Sequence, residues 1–168
     1  GLLASDFIFI TDKNNNGQIG NWFYQQEVNT IQNVKNAYAK GMINKFTWHL
    51  REPYREADFY ANTMTATEKA NAFKSILPGG SNHEWYKRKL DKVASVFNAL
   101  KGSRGEYIPV IFRPFHEYDG SWFWWGADFA TPDEYKRAFR FTVDYLKNTK
   151  GIHHVIYALG PDNSYDTK

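Results

Sequence analysis

The stretch YIPVIFRPFHEYDGSWFWWG, residues 107–126, decides the fold of this chain. Its first part, YIPVIFRPF, is apolar and β-branched and predicts a buried strand over 107–115, in which Pro109 near the start costs little. Its second part, 116–126, sets a His, a Glu and an Asp beside five aromatic residues, in a pattern too irregular for a helix or a strand. A core would not accept the charges and a surface would not accept the rings, so this part is predicted to border a cleft.

Alternation of strand-like and helix-like segments extends from this stretch in both directions. Three more segments predict strands: DFIFIT (6–11), MINKFTWHL (42–50) and HHVIYAL (153–159). Four segments predict helices: 25–40, 67–77, 82–101 and a helix from Pro132 to about Gly151 that begins with a capping box at Thr131 and Glu134. Helices of crossover length between strands favour βαβ units and a parallel sheet covered on both faces. The predicted fold class is α/β, with its chemistry beyond the carboxyl ends of the strands.

Composition excludes several classes of protein. The 168 residues suit one domain, and 21 basic against 18 acidic residues are scattered, unlike the clustered charge of a nucleic-acid binder. The scattered charge means that no nucleic-acid partner is expected. No apolar run approaches the ~20 residues that span a bilayer, so no membrane span is expected. There is no Cys, hence no disulfide and no thiolate zinc site. Aromatic residues make up 18% of the chain, which suggests that some rings stack on a flat, partly apolar ligand.

Glu117 is the leading candidate for chemistry. It follows the predicted strand at 107–115 and lies beside His116 and the Trp122–Trp125 run, which predicts a partly desolvated pocket. Desolvation favours a protonated carboxyl, as a general acid requires near neutral pH. The alternative is a surface Glu117 in an ion pair with Arg113, and the neighbouring rings argue against it. His116 by itself is compatible with a structural or a functional role.

Trp48 and His49 end the second predicted strand, at the level of Glu117 if the strands are parallel. Trp48 is expected in the core, whereas His49 either bonds a backbone carbonyl or lines the cleft. Neighbours in an extended chain alternate faces, so at least one ring of the Trp122–Trp125 run should border the cleft. Structural roles are predicted for the remaining candidates: Tyr118 and Asp119 in a turn before Gly120, His153 and His154 at the start of a strand, and a solvated His83.

Two motifs that look like metal sites each lack a required ligand. HEYDG (116–120) has Gly120 where a zinc-binding helix needs its second His. DKNNNGQIGNWF (12–23) matches the first half of a calcium loop, but Phe23 stands where the bidentate Glu is required. An Asn/Gly turn is the favoured interpretation of that loop. No metal and no cofactor is expected.

IFRPFHEYDGSWFWWG together with the upstream FTWHL resembles glycoside hydrolase family 26, whose best-known members are β-mannanases with a (β/α)8 barrel and a retaining mechanism. The motif is long and specific, and the similarity extends in pattern over nearly the whole chain. The resemblance implies that Glu117 is the acid/base. It implies the following substrate contacts or orienting residues: His49, His116, Trp122, Trp125 and Arg113.

The resemblance also implies that part of the barrel is missing from this sequence. Retaining enzymes need a second carboxylate about 5–5.5 Å from the first, which the resemblance puts on strand seven. A barrel needs about 250 residues, and the present chain, 1–168, is expected to cover strands 2 to 5 of a partial catalytic domain. We therefore expect the nucleophile to lie outside the chain. Asp162, near a strand's end, is assigned a binding or structural part instead.

Three functions remain open at this stage. The first is a retaining endo-β-1,4-mannanase acting on mannan, galactomannan or glucomannan. The second keeps the machinery but cleaves β-xylan or mixed-linkage β-glucan, and the third is a non-catalytic carbohydrate-binding barrel. Because a polymer cannot enter a cytoplasm, a secreted, cell-surface or periplasmic location is expected, and the protein is expected to be a monomer.

Overall fold

A computed structural model describes residues 1–162, so 163–168 of the predicted polar loop 160–168 lie outside the described residues. Four strands form one parallel sheet in the order of the sequence: β1 (Leu2–Asp6), β2 (Ile43–Thr47), β3 (Val110–Arg113) and β4 (Val155–Tyr157). The predicted α/β class and parallel sheet are confirmed. Because neighbouring strands are parallel, all four carboxyl ends lie along one edge of the sheet.

Helices fill every crossover between the strands. They are α1 (Trp22–Ala39), α2 (Ala66–Ser75), α3 (His83–Ala99) and α4 (Pro132–Asp144), with a 3₁₀ turn at Ala61–Thr63 and a π-helical turn at Tyr145–Thr149. One half of the predicted capping box of α4 is present: Thr131 accepts a hydrogen bond from the Glu134 amide, and Pro132 occupies the first turn, but the Glu134 side chain does not return a bond to the Thr131 amide. A complete capping box, which the sequence reasoning did not identify, starts α2, where Thr65 and Glu68 bond each other's backbone amides.

The helices cover one face of the sheet, not both. Asn44, Phe46, Val110 and Phe112 point to the helices and are fully buried, whereas Ile156 on the other face is exposed. The expectation of two covered faces is therefore wrong for this chain. Sequential right-handed crossovers put every helix on the same side, as in a barrel wall, and the second face is the one that a barrel encloses.

The first predicted strand is wrong in position. DFIFIT was expected to be a strand, but β1 is the preceding Leu2–Asp6, and residues 7–11 form a turn closed by the Thr11 amide on the Phe7 carbonyl. Phe7 and Ile10 are apolar because the turn inserts them into the core, where they are 0% and 1% exposed. The shift moves Asp6 from the start of a strand to its carboxyl end.

Among His83, His153 and His154, for which no functional role was predicted, two bond a backbone carbonyl. His154 bonds the Phe97 carbonyl at 2.9 Å, in agreement with its predicted structural role. His83 was expected to be solvated, but its Nδ1 lies 2.7 Å from the Ile76 carbonyl and its ring packs on Phe141. Because α3 begins directly after the turn that contains Pro78, Gly79 and Gly80, the ring of His83 lies close to the Ile76 carbonyl. None of the helices in residues 1–162 is long and apolar enough to cross a membrane.

Thr65→Ala should lower the free energy of unfolding by about 1 kcal/mol, because it leaves the first-turn amide of Glu68 without its side-chain acceptor. Thr67→Ala is the matched control, since Thr67 is an exposed residue of the same helix and Ala has the higher helix propensity. Urea unfolding of both variants measures the difference. An equal effect of the two substitutions would contradict the role assigned to the cap.

Candidate active site

Parallel register aligns three polar residues across the carboxyl ends of the strands. Asp6 is paired with Thr47, and Thr47 with Arg113, so the three side chains lie in a row on the face away from the helices. Paired residues of parallel strands point to the same side of a sheet. The loop after β3, which carries Glu117, begins at the end of this row.

Glu117 is held in a strained turn and faces the indole of Trp122. Its φ is +56°, and Phe115 two residues earlier has φ +52°, a region that non-glycine residues rarely adopt. The Glu117 amide donates to the Gly160 carbonyl at 2.5 Å, beyond β4. Trp122 Nε1 donates to Glu117 Oε2 at 2.9 Å. Strain of this kind persists only where surrounding contacts enforce it. It is concentrated at functional sites.

The alternative ion pair between Glu117 and Arg113 does not form, so within the described part of the chain that interpretation is wrong. Arg113 is half-buried, and its guanidinium packs so closely on Gly160 that a Cβ at this position would overlap it. Arg113 therefore packs on the residue whose carbonyl bonds the Glu117 amide, and its orienting role stays a prediction.

Gly120 makes the approach of Trp122 to Glu117 sterically feasible. The six-membered ring of Trp122 lies directly over Gly120, where any Cβ would overlap the ring atoms. Trp122 keeps 37% of its surface exposed, whereas Phe123, Trp124 and Trp125 are 3% exposed or less. One ring of the run thus borders the open side of the site.

The other three rings of the run all face inward, contrary to the alternation expected of an extended segment. The segment turns, so successive side chains need not alternate. A substrate contact was predicted for Trp125, which keeps 1% of its surface exposed. Its indole Nε1 donates to the His116 carbonyl at 2.7 Å, and Trp124 donates to the Leu50 carbonyl at 2.8 Å. These two indoles fix the loops after β3 and β2.

His49 and His116 meet beneath the Trp122 turn. Their rings are T-shaped with centroids 4.5 Å apart, and their Nε2 atoms are separated by 3.3 Å. His49 Nδ1 lies 2.5 Å from Oδ2 of Asp6, so its partner is a carboxylate and not the backbone carbonyl of the structural alternative. Trp48 is in the core as predicted and donates to Thr11 Oγ1 at 2.8 Å.

Sequence reasoning missed Asp6 because it misplaced β1. Burial alone would raise the pKa of Asp6, but the hydrogen bond and charge of His49 outweigh that effect and lower the pKa below its usual value. For His116, burial and then the charge of His49 lower the pKa to about 4. Asp6 is thus ionised and His116 neutral at neutral pH.

A second missed residue, Glu52, organises the loop after β2. Its side chain is 0% exposed and accepts hydrogen bonds from the amides of Tyr54, Arg55 and Ala57. The ordered loop brings Tyr60 against Phe123, with ring centroids 5.6 Å apart. A buried carboxylate that satisfies backbone amides leaves no periodic signal in a sequence.

The predicted turn residues behave as expected. Asp119 Oδ1 accepts a hydrogen bond from the Asp162 amide at 2.7 Å, and the ring of Tyr118 packs on Tyr135. Asp162 therefore has a structural contact here. In the loop at 12–23, Asp12 pairs with Arg51 and caps the Asn14 amide, an arrangement of an Asx turn.

Comparison with known proteins gives a family. The sequence profile described as glycosyl hydrolase family 26 matches residues 18–168. The chain belongs to this family. A mannan endo-1,4-β-mannosidase of Bifidobacterium adolescentis is 39% identical over 135 residues, which is 80% of this chain and 13% of that protein. One of Bacillus subtilis is 27% identical over 137 residues, 78% of this chain and 36% of that protein.

Solved structures of the family share the fold. GH26C from a Muricauda species superposes with a TM-score of 0.95 at 52% identity, over 98% of this chain and 44% of that chain. An endo-β-1,4-mannanase of Cellulomonas fimi gives a TM-score of 0.82 at 32% identity, over 95% and 34%. The four strands are therefore part of a (β/α)8 barrel, and the chain spans less than half of these family 26 structures.

Gly120→Ala should displace the Trp122 indole and break its hydrogen bond to Glu117, because the new methyl group occupies the ring's position. Trp122→Phe is the companion variant, since it keeps a ring but removes the N–H donor. The exposure of Trp122 to acrylamide quenching, relative to a Trp122→Phe background, should rise clearly in Gly120→Ala. Unchanged quenching would contradict the close approach.

The low pKa of His116 predicts acid sensitivity of the fold. His116 binds a proton near pH 6.5 in the unfolded chain and only near pH 4 in the folded protein. Its contribution to the free energy of unfolding is therefore complete above about pH 6.5 and is lost as the pH falls to about 4. This shift corresponds to on the order of 3 kcal/mol. His116→Gln should flatten the decline in urea unfolding free energy across that interval.

His154→Gln is the control for this experiment. Burial also lowers the pKa of His154, but less strongly, so its removal should change the pH dependence less. A larger effect at His154 than at His116 would overturn the assignment.

Proposed function

We propose that the protein is a retaining endo-β-1,4-mannanase that cleaves mannan, galactomannan or glucomannan, with Glu117 as general acid/base. The observation that carries this proposal is the Glu117 carboxylate beyond the carboxyl end of β3, bonded by Trp122 Nε1 at 2.9 Å and next to the His49–His116 pair. The names of its relatives in family 26, which are mannan endo-1,4-β-mannosidases, support the substrate class.

In the first step Glu117 donates a proton to the glycosidic oxygen while a second carboxylate attacks the anomeric carbon. The bond to the leaving oxygen breaks and a glycosyl-enzyme ester forms. In the second step Glu117, now ionised, takes a proton from water, which attacks the anomeric carbon and releases the second carboxylate. That carboxylate has to stand about 5–5.5 Å from Glu117, and we assign it to a part of the barrel beyond the four strands described.

The Trp122 hydrogen bond gives the two oxygens of Glu117 different tasks. Oε2 accepts the indole N–H, so Oε1 is left to carry the proton that is transferred. The exposed face of Trp122 suits stacking on a pyranose ring, and His49 and His116 suit hydrogen bonds to its hydroxyl groups. Arg113 packs on Gly160, and we assign it the role of orienting the turn.

The substrate class sets the place of action. A polymer of mannose cannot cross into a cytoplasm, so we propose that the protein degrades polysaccharide outside it, as a secreted, cell-surface or periplasmic monomer. We extend the proposal to oligosaccharides of the same sugars. A β-mannanase from a termite symbiont, 28% identical with a TM-score of 0.73, was solved with a gluco-manno-oligosaccharide.

Glu117→Gln should lower kcat on mannan by about 10²- to 10⁴-fold and leave mannan binding intact, because Gln keeps the shape but has no proton to exchange. The assay uses a protein that carries this chain within a complete barrel. Glu84→Gln is the control, since Glu84 is an exposed residue of α3 whose ion pair within residues 1–162 is with Lys87.

Glu117→Ala separates the two steps. With a dinitrophenyl mannoside, whose leaving group needs no proton, the first step should persist, and azide should restore turnover as a β-mannosyl azide product. Hydrolysis of xylan or lichenan but not of mannan by the unmodified protein would overturn the substrate assignment. Binding without hydrolysis of any β-glycan would overturn the enzyme assignment.

A further inference from the structure

We propose that Asp6 is a positioning residue of the active site, which fixes the tautomer of His49 and through it the ring of His116. The inference rests on the proposed function, in which His116 and Glu117 are neighbours in one strained turn. Asp6 is the last residue of β1, and Glu117 lies in the loop after β3. Asp6 therefore acts through two histidines and not by contact with the sugar.

Four contacts hold the Asp6 carboxylate in one orientation. Oδ1 accepts from the amides of Ile8 at 2.8 Å and His49 at 3.0 Å. Oδ2 accepts from Thr47 Oγ1 at 2.9 Å and lies 2.5 Å from His49 Nδ1. A carboxylate fixed in this way leaves the facing imidazole no freedom to rotate.

The proton positions along the hydrogen-bonded series Asp6–His49–His116 follow from the chemistry of its members. An ionised carboxylate only accepts hydrogen bonds, so His49 Nδ1 carries a hydrogen. In the neutral form of His49 the Nε2 atom then has a lone pair, and in that form His116 Nε2, 3.3 Å away, is the donor. Each imidazole is held in one tautomer by the group before it.

The charges around the series Asp6–His49–His116 support the same arrangement. The lowered pKa of Asp6 keeps it ionised, and the pKa of about 4 keeps His116 neutral. Arg113 and Lys45, both half-buried, are the other charges that act on His116, and both disfavour its protonation.

The consequence for catalysis is the position of Glu117. His116 lies between Phe115 and Glu117, the two non-glycine residues of this turn with positive φ, so its ring contacts and its carbonyl bond to Trp125 anchor the strained turn. A His49 that changed tautomer would present an N–H to His116 Nε2 and reverse the hydrogen bond between the rings. His116 would then have to change its own tautomer, with its buried Nδ1 protonated.

The first test needs no substitution. Long-range ¹H–¹⁵N NMR of the imidazole rings distinguishes the two neutral tautomers by their nitrogen shifts. His49 should be protonated at Nδ1 and His116 at Nε2 at pH 7. A His49 that carries its hydrogen on Nε2 would overturn the inference, whatever the protein hydrolyses.

The second test is Asp6→Asn in a protein that carries the complete barrel. We expect kcat on mannan to fall about 10- to 100-fold with KM changed by less than about 3-fold, the acidic limb of the kcat profile to move, and the His49 tautomer to become mixed. Thr47→Val is the matched control, because it removes another contact of the same Oδ2 without changing the charge that faces His49.

The outcomes separate the inference from the proposed function. An active enzyme whose kcat is the same in Asp6→Asn and the unmodified protein would overturn the role of Asp6 and leave the mannanase assignment intact. Equal losses in Asp6→Asn and Thr47→Val would also overturn it, since they would indicate general loosening. If no variant hydrolyses mannan, the imidazole spectra of the unmodified protein still decide the inference.

Discussion

The parallel pairing of β1, β2 and β3 is the constraint on which the site depends. Its register places Asp6, Thr47 and Arg113 side by side, and the loops that continue from these residues have to meet above the same edge. His49 and Glu117 are separated by 68 positions in the sequence, yet each follows its strand by only a few residues. A slip of one residue in the register would turn Asp6 to the helix-covered face and remove it from the imidazoles.

The aromatic residues answer a hydrogen-bonding problem as well as a packing one. Loops that converge over a core bury polar groups, and each of these groups needs a partner. Three buried indoles supply partners: Trp48 and Trp124 donate to a hydroxyl and a carbonyl of other loops, and Trp125 donates to a carbonyl of its own loop. Within the run 122–125, Trp122 is the residue that stays partly exposed, and its N–H goes to Glu117. The mixture of rings and charges in 113–126 therefore serves one site, in which buried rings support the loop and the Glu117 carboxylate lies beside the exposed ring of Trp122.

Local signals predicted the parts of the fold that local chemistry determines. The cap at Thr131, the apolar stripe of α3 and the strand before the motif were all recognised, and the Glu and Trp of the motif were brought together as expected. The strand at DFIFIT was wrong because burial alone does not distinguish a strand from a tight turn that inserts two apolar side chains. Asp6 and Glu52 were missed for a related reason. Their roles come from atoms contributed by distant or irregular backbone, which no periodicity encodes.

The strained turn and its supports explain each other. Positive φ at Phe115 and Glu117 costs about 1–3 kcal/mol each, and this cost is offset by contacts within the loop and to the segment after β4. The amide of Glu117 bonds Gly160 after β4, and the carbonyl of His116 bonds Trp125. An acid that must first give a proton to a leaving oxygen and then take one from water has to stay in one place through both steps. A turn enforced from several sides provides that immobility, which a relaxed loop held only by its own sequence would not.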